Sequence, residues 1–311
     1  MQDATLRFYV LTSRNLKCLK RHFVSLPKQH TTVIINTLDK DYESLVQDWC
    51  FREKINCVAT ESNGKPGKGK NAVLDHFLDS DYDYMVQIDG DDFLQPHGVN
   101  LYTWVAHNDA PDGIQIVHSY SYAGGISERE LFAPPPWDTS FRKWATMRAD
   151  RFPHLKAMLL DAWDKRAVLE RDYNVHVRQN KAWNYPADSR HFMDCARLIF
   201  WSRKLAGAVR FDETLLIGED TLLNFEVRDL AYRKSIDLRK VVDQEEITYT
   251  YDLTNSGIVK RMQNQLNWDW LRPLNKAITA KEKQWAVGPK FTLKKITYDF
   301  EKTERIILGE L

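Results

Sequence analysis

The 311-residue chain has no apolar run approaching the ~18–20 residues of a membrane span, no low-complexity segment and no internal repeat. Its net charge is only +1, so no global field draws it onto DNA or a membrane surface. Cysteine is scarce. Cys18, Cys50, Cys57 and Cys195 form no C-x-x-C pair and no metal-ligand spacing, which favours free thiols in a reducing compartment over a disulfide framework. The N-terminal "MQDATLRFYVLTS" enters an apolar strand almost at once, with no basic segment followed by an apolar one, so no signal peptide is read there. What remains is a cytoplasmic globular protein, 43% hydrophobic and 28% charged, long enough for one large domain or two small ones.

Within the first 118 residues, strand-like and helix-like segments alternate. "LRFYVLT" (6–12), "TTVIIN" (31–36), "INCVAT" (55–60), "YMVQI" (84–88) and "GIQIVHS" (113–119) are short apolar runs rich in strand formers. Between them, 16–26, 41–53, 70–79 and 96–108 carry helical spacing, the last opening with a proline just inside its start. Such alternation predicts right-handed crossovers and a mostly parallel sheet covered by helices. Ligands of such sheets bind beyond the carboxyl ends of the strands. From 124 to 190 clear strands disappear. Trp137, Trp144, Trp163 and Trp183 follow one another there, and residues 141–181 hold ten Lys and Arg against five Asp and Glu. That stretch is open to three readings: a helical core, a sugar-stacking surface, or a groove for nucleic acid. Strands return at 196–202 and 246–252, and a Lys-rich tail follows.

Two segments at the predicted ligand edge carry chemistry. "GKPGKGKN" (64–71) matches the P-loop spacing G-x-x-x-x-G-K-[ST] except at its end, where Asn71 replaces the magnesium-binding hydroxyl. Lys65, Lys68 and Lys70 on a Gly-rich loop could hold a diphosphate, with Lys70 at the start of the next helix, where backbone N–H groups favour anions. A nucleotide hydrolase or kinase is one function compatible with these parts, and a flexible solvated loop is the other reading of the glycines. "MVQIDGDDF" (85–93) ends an apolar strand in Asp89, Asp91 and Asp92. Three carboxylates in four residues repel one another unless a cation sits among them, and hard oxygen ligands suit Mg²⁺ or Mn²⁺ when a diphosphate supplies further oxygens. Spacing by two points Asp89 and Asp91 the same way in an extended chain. An EF-hand is excluded, because the required D-x-[DN]-x-[DN]-G run is missing.

Taken together, the G-x-G-K-N helix start and the D-x-D after an apolar strand resemble nucleotide-sugar glycosyltransferases of the family 2 type. Three later segments match in order: "LIFWSRKLAGAVRFDE" (198–213), "FDETLLIGEDTLLNFEV" (211–227) and "YTYDLTNSGIVKR" (249–261). The resemblance covers roughly residues 6–118 and 196–261. It implies an α/β GT-A fold, Rossmann-like, with a mostly parallel sheet, helices on both faces, a helical insert and a C-terminal extension. The domains would be a nucleotide-sugar-binding half (1–118), a Trp-rich insert on the acceptor side (119–195), the rest of the catalytic domain (196–261) and the extension (262–311).

By the same resemblance, Asp91 would be the main ligand of Mn²⁺ or Mg²⁺ and Asp89 would lie near the ribose and the metal. Lys70, where the family often has arginine, would meet the diphosphate beside Asn71 and Lys68. Thr12, Ser13 and Arg14 would border the nucleotide, and Asp220 would be the general base with Glu219 as its neighbour. Two departures stand out. Asn36 and Thr37 occupy the place of an acid that reads the base, and none of the nine histidines follows the Gly-Glu-Asp segment. The implied activity is metal-dependent hexosyl or pentosyl transfer, with inversion, from a nucleotide-diphosphate sugar, UDP-linked by preference. Saccharide, lipid-linked glycan, protein and a modified base in DNA all remain as acceptors. A nucleotide-sugar-binding module without turnover is the third class left open.

Overall fold

A computed structural model of the protein describes residues 5–117, 120–122, 197–215, 219–242, 248–252 and 294–295. Apart from residues 120–122, the expected insert lies outside the described residues, as does most of the expected C-terminal extension. The elements run β1 (Leu6–Thr12), α1 (Leu16–His22), a 3₁₀ turn (Lys28–His30), β2 (Thr31–Asn36), α2 (Lys40–Glu53), β3 (Asn56–Thr60), α3 (Pro66–Leu78), β4 (Tyr84–Asp89), β5 (Phe93–Leu94), α4 (Pro96–Asn108), β6 (Gly113–Val117) and β7 (Tyr120–Tyr122). After residue 196 come β8 (Arg197–Ser202), α5 (Arg203–Ala208), α6 (Glu219–Tyr232), β9 (Leu238–Val242), β10 (Tyr249–Asp252) and β11 (Lys294–Lys295).

Eight strands form the main sheet in the order β11-β9-β6-β8-β4-β1-β2-β3, and β5, β10 and β7 make a small second sheet. Every neighbouring pair in the main sheet is parallel except those made by β8, which is antiparallel to both β4 and β6. The sheet is mostly parallel, as the alternating pattern predicted. The chain crosses from β3 at one edge back to β4 beside β1, and the strand order reverses at that point. A reversal of this kind opens a crevice at the carboxyl ends of the two strands, here β1 and β4.

Burial on both faces explains why the strands read as continuous apolar runs. Along β1, Phe8 and Val10 face one core with Leu19 of α1, Val46 and Trp49 of α2, and Tyr102 and Val105 of α4. Tyr9 faces the other core, with Val73 and Phe77 of α3, Leu205 of α5, and Leu223 and Val227 of α6. Helix α2 starts where Asp39 accepts hydrogen bonds from the backbone N–H groups of Asp41 and Tyr42. Asp39, which stands near the place of the family's base-reading acid, is therefore a cap.

Two expected boundaries move. Helix α1 stops at His22 rather than running to 26, because residues 23–25 fold back in i→i−3 hydrogen bonds and the Ser25 hydroxyl donates to the Leu94 carbonyl. Helix α3 starts at Pro66, four residues before the expected 70. Gly67 and Gly69 of "GKPGKGKN" are thus helical, while Gly64, at φ 74°, turns the chain just before the helix. Their reason is proximity. A methyl group on Gly67 would overlap the Asp212 carbonyl, and one on Gly69 would press on Asn36 and Leu11 at 3.1 Å.

Candidate active site

Strand β4 delivers Asp89 to the crevice, and a tight turn follows it. The Gly90 N–H donates to the Leu11 carbonyl at 2.7 Å, which carries the β1–β4 ladder one step further. A Cβ on residue 90 would stand 2.6 Å from that same oxygen, so only glycine fits. The Asp92 N–H then donates back to the Asp89 carbonyl at 3.0 Å. This turn replaces the extended segment that the spacing of Asp89 and Asp91 suggested. It pairs Asp89 with Asp92 instead: Arg197 Nη1 donates to Asp89 Oδ2 at 2.9 Å and lies 3.3 Å from Asp92 Oδ2. Buried Asp92 also accepts from the Tyr249 hydroxyl at 2.6 Å, and the Arg197 guanidinium lies 4.5 Å from the centre of the Tyr249 ring.

Helix α6 brings the second set of acids. It begins at Glu219, so Glu219 and Asp220 occupy its first turn, where the helix dipole favours negative charge. The loop leading into it is fastened to α3. Asn71 donates to the Phe211 carbonyl at 3.0 Å and to Glu213 at 2.9 Å, and accepts from the Phe211 N–H at 2.9 Å. Lys65 and Asn63 add bonds to the Thr214 and Glu213 carbonyls.

Lys70 sits between the two sets. Its ammonium donates to Asp220 Oδ1 and Oδ2 at 2.6 and 2.7 Å and to Glu219 Oε1 at 2.8 Å, with Asp89 Oδ2 at 3.9 Å. The residue is only 4% exposed. Burial opposes its charge, but Asp220, Asp89 and Glu219 outweigh burial and hold the amine well above the usual lysine range. Asp89 behaves likewise: burial pushes its carboxyl up, while Arg197 and Lys70 win and hold it far below the ordinary range. Burial, together with the charge of Asp89, pushes Asp91 up to about 6, and the pull of Arg14 and Arg197 is the weaker influence. Burial also raises Glu219, against the pull of Lys70.

The expected residues divide into two groups. Asp89, Asp91, Lys70, Glu219 and Asp220 converge on the crevice. Thr12 ends β1 at the same edge, its hydroxyl sharing a 2.5 Å hydrogen bond with the Tyr42 hydroxyl, and Ser13 and Arg14 follow it in exposed positions. Lys68 is half-buried, 3.7 Å from Glu213. Asn36 and Asn71 direct their amides into the protein, Asn36 donating to the Thr60 hydroxyl and the Glu61 carbonyl. Arg197 was missed. Its signal was a cation heading the otherwise apolar "RLIFWS", and the antiparallel run of β8 beside β4 brings that head to the Asp89 end of β4, where the two side chains pair.

Among the described residues, no group of three or more His, Cys, Asp or Glu side chains is arranged to hold a metal ion. Two carboxylates still suit one. Asp89 Oδ1 is buried with no hydrogen-bond partner, and half-buried Asp91 stands two residues away. Magnesium-type sites commonly use one or two carboxylates and complete the shell with substrate phosphates and water. The residues therefore fit a divalent cation that arrives with a diphosphate.

No protein-family model matches the sequence, and no curated protein matches it. Solved structures do. Staphylococcus aureus TarS 1-349 in complex with UDP-GlcNAc superposes with a TM-score of 0.50 at 13% identity, covering 89% of this chain and 66% of that one. The same protein with UDP gives 0.49 at 13%, covering 89% and 65%. The mannosyltransferase PcManGT from Pyrobaculum calidifontis, in complex with GDP-Man and Mn²⁺, gives 0.45 at 10%, covering 100% and 80%. The chain spans less than two thirds of the TarS chains it matches. With its reversed strand order and two-faced helical cover, the chain has a GT-A-like fold, shared with TarS.

Proposed function

We propose that the protein is a metal-dependent glycosyltransferase moving a hexosyl or pentosyl group from a nucleotide-diphosphate sugar to an acceptor hydroxyl, with inversion. One observation carries this reading. Asp89 at a strand end and two acids from a helix start about 130 residues later (Glu219, Asp220) meet around a single buried lysine at the strand-order reversal, with Asp91 two residues beyond Asp89. A P-loop hydrolase needs a glycine loop around the phosphates, and here that segment is helix.

Asp91 and the free oxygen of Asp89 would hold Mn²⁺ or Mg²⁺, which supplies charge neutralisation on the departing diphosphate. Lys70 adds a cation on the same side. Arg197 fixes Asp89 through one oxygen and leaves the other available. Asp220, the more exposed of the two acids in the first turn of α6, takes the proton of the acceptor hydroxyl as that oxygen attacks the sugar. One displacement with the base opposite the leaving group inverts the anomeric carbon. TarS was solved with UDP-GlcNAc, so a UDP-sugar is the first donor to try.

The test is a panel of UDP-, GDP-, ADP- and CMP-sugars, each with and without Mn²⁺, read by thermal shift and by nucleotide release. Stabilisation by one diphosphate sugar that requires Mn²⁺, with slow sugar release to water, is the expected result. Phosphate release from ATP or GTP without any sugar identifies a hydrolase instead. Tight donor binding with no product, across metals and acceptors, identifies a module without turnover.

A further inference from the structure

The contacts of Lys70 exceed what a phosphate-binding lysine needs. The Lys70 ammonium lies 2.6 and 2.7 Å from the two oxygens of Asp220, which share one N–H, and 2.8 Å from Glu219 Oε1, which takes another. A diphosphate must therefore compete with both acids for the same ammonium. Both oxygens of Asp220 face that ammonium, so a hydroxyl approaching this carboxylate competes with the lysine for it. The same ammonium stands 3.9 Å from Asp89 Oδ2, on the donor side of the crevice. One side chain thus spans the interval between the two half-sites.

Lysine suits such a span. It carries a compact charge on a flexible four-carbon stem, whereas the planar fork of arginine fixes its partners. The stem is rooted in α3, which Asn71 holds against the loop entering α6, so the backbone positions at both ends of the contact are set. Only the tip has freedom to swing. A ligand shifts such an equilibrium when it interacts with one arrangement more favourably than with the other. A diphosphate seated by Asp89 and Asp91 offers Lys70 new anionic oxygens, and these exist only when the donor is bound.

Building on the donor reading above, we infer that Lys70 couples the two half-sites. Without donor it occupies Asp220, and a nucleotide diphosphate draws its ammonium to the phosphate side, so that the base is released to an acceptor hydroxyl only after the donor is in place. Lys70 is then a positioning residue for Asp220 as well as a diphosphate contact. Donor must precede acceptor, and the base stays closed while the donor subsite is empty.

Zero-length carbodiimide cross-linking of the intact protein tests this without knowledge of the acceptor. The reagent joins a lysine amine to a carboxylate already in contact with it, and peptide mass spectrometry reads the Lys70–Asp220 link. The exposed Lys28–Glu53 pair, at 2.7 Å, is the internal reference, and Lys70→Gln confirms the assignment. UDP with Mn²⁺, with GDP and ADP in parallel, is expected to lower the Lys70–Asp220 yield about tenfold, the change that about 1.4 kcal/mol of differential binding produces. The Lys28–Glu53 yield stays constant. A nucleotide diphosphate that stabilises the protein thermally yet leaves the Lys70–Asp220 yield unchanged overturns the coupling and spares the donor reading. Absence of the link in donor-free protein overturns the coupling too. If no nucleotide diphosphate shifts either signal, the donor reading falls and takes the coupling with it.

Discussion

Opposed demands meet at single side chains along the crevice. Asp91 is held at about 6 by burial and by its neighbour Asp89, so its charged form is disfavoured in the protein without a cation. Replacing it with the neutral amide, Asp91→Asn, is expected to raise the stability of the ligand-free protein by about 1–2 kcal/mol at pH 7. The same change abolishes stabilisation by Mn²⁺ with donor; urea melts with and without both additives check the two halves of this prediction. Asp220→Asn keeps the shape of the site and removes the proton acceptor. Turnover should fall by about 10²–10⁴, the usual contribution of a general base, while UDP in a binding titration binds at least as tightly as to the parent, because the competing carboxylate charge on Lys70 is gone. Arg197 acts on these acids without being an acid itself, and it escaped a reading based on motifs because its partners come from the opposite strand, more than a hundred positions earlier.

At the level of elements, the seam between α3 and the loop entering α6 governs where Asp220, the proposed base, stands. Gly67→Ala places a methyl group against the Asp212 carbonyl, which is backbone and has little room to yield. A cost of about 1–3 kcal/mol is expected by urea unfolding, with donor hydrolysis impaired as well, because the displaced loop carries α6. Asn71→Ala removes partners from the Phe211 N–H and C=O, and its cost should fall in a similar range of about 1–3 kcal/mol. Much of this level was readable beforehand. Helix α4 begins and ends where its proline and periodicity place it, and β1 and β2 match their apolar runs residue for residue. The start of α3 was not readable. Its glycines look like turn formers, but they serve a distant segment that no local pattern reveals. Strand β8 was found as a strand, yet its antiparallel place between β4 and β6 depends on where the chain returns after residue 196.

The molecule as a whole carries an acid-sensitive element packed against the turn that bears the acids. His22 has no exposed surface, and burial is the main reason its pKa falls to about 4 from an ordinary 6.5, the Gly90 carbonyl opposing the shift. The unfolded chain takes up a proton that the folded one refuses between those values. This contribution to stability is therefore complete above about pH 6.5 and is lost as the pH falls toward 4, at up to about 1.4 kcal/mol per pH unit. Asp91, raised instead of lowered, has the opposite slope between about 4 and 6 and masks part of it. Comparing His22→Gln with the parent cancels the masking. The variant should gain about 3 kcal/mol relative to the parent between pH 6.5 and 4, whatever its offset at neutral pH, as followed by urea midpoints at several pH values. The central position of β8 also bears on how the chain is made. Until residue 202 has left the ribosome, β4 and β6 cannot acquire their shared neighbour, and at about 5–20 residues per second the nascent chain waits roughly 4–17 s between the end of β6 and that moment. During that interval two unzipped strand margins face the cell's chaperones, so synthesis rate and chaperone supply should govern the soluble yield more strongly than the equilibrium stability of the finished protein.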